Sequence, residues 1–122
     1  MRAAAATLAL VGLLAGCGGG ERAISPDQAR ACLAEQHFRV MGGVRAAGDA
    51  NAPDTELVVG GPEMSLFLAY YDEEARAERY APQLERNAQR FHGRVERHGK
   101  LTIVWVHGVD SAESERVRRC VT

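Results

Sequence analysis

Neither sign of charge prevails in this 122-residue chain: 15 lysines and arginines stand against 16 aspartates and glutamates, a formal net charge of -1. A nucleic-acid binder needs a basic surplus to neutralise phosphates, so nucleic acid is excluded as a partner. No apolar run approaches the roughly 20 residues a membrane-spanning helix needs; the longest has about eleven. The three cysteines lack the close Cys-x-x-Cys spacing of zinc and redox sites. Of the four histidines, His37, His92, His98 and His107, none lies three or four residues from another, so none forms a helical metal-binding pair. The Gly-x-Ser-x-Gly elbow, the phosphate loop and the dinucleotide fingerprint are all missing. The reading is therefore of no cofactor, no metal and no catalytic residue. What is present, 46% hydrophobic and 25% charged residues, is the composition of one globular domain.

The first residues are an address. Arg2 supplies a positive start, Ala3 to Leu14 an apolar stretch of signal-peptide length, and Leu14-Ala15-Gly16-Cys17 its end. These last four resemble the lipobox of bacterial lipoproteins. The resemblance implies cleavage after Gly16, lipid on the Cys17 thiol and acylation of the new amino terminus. It further implies a membrane partner held through that lipid, palmitate included, and a place on the cell membrane or outer membrane facing the periplasm or exterior. Residues 1–16 would then be a cleaved signal peptide, 17–24 the lipidated cysteine with a glycine-rich tether, and 25–122 the globular domain.

Export places Cys32 and Cys120 in an oxidising compartment, where two remaining thiols usually pair. Helical periodicity puts Cys32 on the face of Ala29 and Leu33, and Cys120 on that of Val117 and Val121. Both thiols point inward, and a disulfide between them would staple the ends of a small domain.

Ser25-Pro26-Asp27-Gln28 is a capping box with proline at the first helical position, and predicts a helix to about Gln36. Phe38 to Val44 reads as extended, with Gly42-Gly43 marking a bulge or early end, and 46–54 as a loop. Glu56 to Val59 reads as a short strand. Met64 to Tyr71 is apolar on both faces, as a central strand is. Asp72 is the expected cap of a helix to about Arg90, striped by Ala77, Ala81, Leu84, Ala88 and Phe91, with a kink or break near Tyr80 ahead of Pro82. Arg94 to Val106 is a hairpin. A three-residue loop, Arg97-His98-Gly99, would set Val95 against Leu101 and join it to the buried face of Ile103 and Trp105. Asp110 and Glu113 read as a second capping box, for a last helix carrying Cys120. The fold class is α+β: order α-β-β-β-α-β-β-α, about five mainly antiparallel strands, helices packed on one face. The globular part resembles small exported bacterial domains in outline, without a diagnostic motif.

Asp72, Glu73 and Glu74 beside Tyr70 and Tyr71 form the one acid–base grouping, and capping already accounts for the carboxylates. Arg76, Arg79, Arg86 and Arg90 make a stripe that interspersed acids neutralise, as on a solvated helix face. The second apolar face of the long strand, Phe67, Ala69 and Tyr71, must be covered by the chain or exposed; exposed, it is a surface for an envelope protein or polymer. The expected function is a membrane-anchored, non-enzymatic binding or accessory domain of the cell envelope. The alternative is an envelope hydrolase or small-ligand carrier with a pocket between helices and sheet.

Overall fold

The computed structural model describes residues 24–42 and 52–122. Their order is α1 (Pro26–Glu35), β1 (Arg39–Gly42), β2 (Thr55–Gly60), β3 (Ser65–Tyr70), α2 (Glu74–Gln89), β4 (Arg94–His98), β5 (Leu101–His107) and α3 (Ala112–Val121). The strands form one antiparallel sheet in the order β1-β2-β3-β5-β4. The α+β class and the element order are those read from the sequence. The cleavage site, Cys17, most of the tether, Gly43 and Val44 lie outside the described residues.

Helix α1 starts as its residues dictate. The Ser25 side chain accepts from the Gln28 amide and the Gln28 side chain from the Ser25 amide, both halves of the box. Strand β1 includes Gly42, whose φ of +109° only glycine adopts without strain. Strand β3, apolar on both faces, is the middle strand.

Its two faces serve two separate clusters. Leu66, Leu68 and Tyr70, with Leu57, Val59, Leu101, Ile103 and Trp105, meet Ala29 and Leu33 of α1 and Val117, Cys120 and Val121 of α3. Ala69 and Tyr71 meet Ala77 and Tyr80 of α2. The expectation of helices on one face is thus corrected: α1 and α3 lie on one side, α2 on the other. Alanines at 77, 81 and 88 let α2 sit close to the sheet, and the doubly apolar β3 needs both layers.

Four local readings also change. The hairpin loop is Gly99-Lys100, two residues, so Val95 pairs with Val104, and Glu96 with Ile103. Gly99, at φ +61°, takes the first turn position, which a type II′ hairpin gives to glycine. Val95 therefore sits on the α2 face rather than with Leu101, Ile103 and Trp105. Helix α2 begins one residue late, with Glu73 at the cap position and no side-chain cap bond, because Asp72 is engaged by Arg76. It runs unbroken through Pro82, whose exposed position leaves the orphaned Glu78 carbonyl to water. Helix α3 is preceded by Ser111 at its cap, and Glu113 turns away to accept from the Glu63 amide at 2.6 Å.

Cys32 and Cys120 form a disulfide with Cα atoms 5.5 Å apart, joining α1 to α3 across 88 residues of sequence.

Candidate functional site

The register carries an apolar row across all five strands on the α2 side: Met41, Val58, Phe67, Val104 and Val95. Directly paired residues share a face. Helix α2 packs over β4 and β5. Toward β1 the row opens, and Met41 is 57% exposed.

Between α2 and the sheet lies a cavity of about 200 Å³, lined by Phe67, Ala69 and Tyr71 on the sheet side, Leu84, Asn87 and Phe91 on the helix side, and Pro53, Glu56 and Val104. The three residues singled out in β3 and just after it thus converge on one concavity, neither wholly covered nor wholly open. Ala69 and Tyr71 are buried, Phe67 is half-buried, and Phe91 at the rim is 41% exposed.

Tyr71 is one of three residues with a polar group on this lining, with Glu56 and Asn87. Its ring stacks on Tyr80 at 6.2 Å, and the Arg76 guanidinium lies 5.8 Å from the same ring. Its buried hydroxyl has no hydrogen-bond partner among the described residues. Burial, then the neighbouring Tyr80, push its pKa up against the opposing pull of Arg76. The phenol stays neutral, and its ring forms part of the cavity wall.

The acidic junction beside it is a latch. Arg76 Nη1 bonds Asp72 Oδ1 at 2.6 Å and Asp54 Oδ2 at 2.9 Å, its Nη2 bonds the Ala52 carbonyl, and the Asp72 amide donates to Asp54. The Arg76 hydrogen bond holds Asp72 below the usual carboxylate range, the opposite of what a general acid needs. Arg79 and Arg86 on α2 and Arg90 just after it stay exposed, and Arg97 reaches Glu78 at 3.7 Å.

A second concavity, about 450 Å³, lies at the sheet end and is lined by His37, Arg39, Gly60, Gly61, Pro62, Met64, Ser65 and His107. Sequence spacing missed it: its polar residues come from three strands and a helix end, and only the register joins them. His98, expected in the hairpin loop, closes β4 with Nε2 3.4 Å from Glu96 Oε2, and His92 follows α2 in a left-handed conformation. Among the described residues no cluster of three His, Cys, Asp or Glu side chains could hold a metal, and no helix is long and apolar enough to cross a membrane.

Comparison with family models, characterised proteins and solved structures finds no match to this chain.

Proposed function

We propose that the chain is an exported lipoprotein, anchored through Cys17, whose folded part is a non-enzymatic binding domain of the cell envelope. The observation that carries the binding role is the convergence of Phe67, Ala69 and Tyr71 on one cavity beside an exposed apolar edge. Contiguous exposed apolar surface on a small domain marks an interface. The partner inserts an apolar group beside Phe91, against Phe67, Ala69 and the Tyr71 ring. The lipobox motif supports the anchor, and the Cys32–Cys120 staple suits an oxidising compartment.

The small-ligand carrier is the second reading, favoured by the size of the cavity. An engineered apolar cavity of about 150 Å³ takes benzene, and this one is larger.

Two measurements test the proposal. Radiolabelled palmitate should enter the protein in growing bacteria and be absent from Cys17→Ala; equal labelling of both removes the anchor. The purified full chain should bind an apolar fluorescent dye at one site, at least fivefold more weakly in Phe67→Ala. Equal binding by that variant removes the cavity from the binding role.

A further inference from the structure

Arg39, Gly60, Ser65 and His107 form a second row across the sheet, one pleat beyond the apolar one. Three register pairs place them side by side: Arg39 with Gly60, Gly60 with Ser65, and Ser65 with His107. Strands lie about 4.8 Å apart, so the Arg39 and Ser65 backbones flank Gly60 at a separation of about 10 Å. Gly60 brings no side chain, and a Cβ built there meets nothing within 4 Å. The row is notched between an arginine and a serine, and the notch opens into the 450 Å³ cleft.

The chemistry of the lining is one-sided. Arg39 offers a guanidinium fork, Ser65 a hydroxyl, and His37 and His107 their imidazoles, while among the described residues no carboxylate lines the cleft. Arg39 makes no ion pair with any described residue. Glu113, the nearby acid, is turned to the Glu63 amide, where it braces the turn through Gly61 and Pro62 that forms the rim.

His37 joins the lining from the end of α1. It occupies the left-handed position that ends α1, at φ +66°, with its amide on the Ala34 carbonyl and the Phe38 amide on that of Leu33. Glycine is the usual residue there, and a side chain costs about 1 kcal/mol. This helix ending sets the His37 imidazole on the cleft wall.

We infer that the cleft is a binding site for a phosphate oxyanion, held by Arg39, Ser65, His37 and His107 over the notch at Gly60. The lining supplies a guanidinium fork, a hydroxyl and imidazoles from three strands and the end of α1, and these are groups that bind phosphate oxygens. The phosphate comes either from a free phosphate or from the diester of a lipid headgroup. This site is separate from the apolar cavity and stands whether or not that cavity binds.

The full chain in neutral detergent is titrated with inorganic phosphate and, separately, with glycerophosphoglycerol, against chloride at matched ionic strength. NMR follows the Gly60 and Gly61 amides and the His37 and His107 rings. Saturable shifts with either ligand support the site, and the tighter ligand names the source. Gly60→Val should weaken binding at least tenfold with the fold intact, since its Cβ enters open space, and Arg39→Gln should do the same. Shifts that fail to saturate, that chloride reproduces, or that both variants retain overturn the inference.

Discussion

Arg118 of α3 grips Glu96 of β4 with two hydrogen bonds, 2.6 Å from Nη2 and 3.2 Å from Nε, while its guanidinium carbon lies 4.9 Å from the centre of the Trp105 ring. Glu96 faces the α3 side because its register partner is Ile103. An acid on that face of an edge strand needs a cation above it, and the planar arginine both neutralises the carboxylate and caps the indole.

Arg118→Ala should therefore cost about 1–2 kcal/mol, more than an exposed ion pair would, since packing on Trp105 is lost with the charge. The Arg118 hydrogen bond holds the Glu96 carboxyl below its ordinary value of 4.5, against burial, with His98 assisting. A carboxyl depressed by folding stabilises above its unfolded pKa, and that contribution fades as pH falls through the depressed value. Denaturant midpoints should drop below pH 4.5 in the wild type and less steeply in Glu96→Gln. An acid limb that is the same in both would remove Glu96 from the pH response.

Opening the Cys32–Cys120 bridge frees the two helices that cap one face of the sheet. Closing a loop of 88 residues is worth about 4–5 kcal/mol on the chain-entropy account, with measured values often lower. A reductant, or Cys32→Ala with Cys120→Ala, should lower the melting temperature by more than 10 °C. A shift of only one or two degrees would show that the core holds α1 and α3 unaided.

Local signals in the chain were legible where a single element carried them. The Ser25 box, the central place of β3 and the inward faces of Cys32 and Cys120 each follow from a few neighbouring residues. What failed turned on which partner claims a residue, in most cases one distant in sequence. Asp72 reads as a cap until Arg76 claims it, and Glu113 until the Glu63 amide does. The hairpin register rested on grouping Val95 with Leu101, Ile103 and Trp105, whereas α2 supplies a second buried face where Val95 pairs with Val104. Phe67, Ala69 and Tyr71 were visible as an extra apolar face, but not as the wall of a cavity. The cleft was invisible, because Arg39, Ser65 and His107 become neighbours only through three register pairs.

Tyr70 carries a buried hydroxyl with no partner among the described residues, and burial pushes its pKa up to about 12. The folded state keeps this proton after the unfolded chain has lost it, so stability should hold to about pH 10 and fall between pH 10 and 12. Tyr70→Phe removes an unmet polar group and should raise stability by up to about 1 kcal/mol at neutral pH while flattening that alkaline fall. Destabilisation by this substitution would mean that the hydroxyl is bonded in solution, as to a bound water.

His37 and His92 end α1 and α2 in the same left-handed conformation, at φ 66° and 57°. Each is followed by an amide reaching back into the last turn, Phe38 to Leu33 and Gly93 to Ala88. Glycine relieves the Cβ strain at such a position and concedes part of the gain to a freer unfolded chain. His92→Gly should thus stabilise by about 0.5 kcal/mol, raising the melting temperature by about 2–4 °C with phosphate binding untouched. His37→Gly should stabilise equally yet weaken phosphate binding severalfold, because its imidazole lines the cleft. The two variants make the same backbone change and differ only in what the lost side chain faced. Equal phosphate affinity in both would show that the strain at His37 serves no ligand.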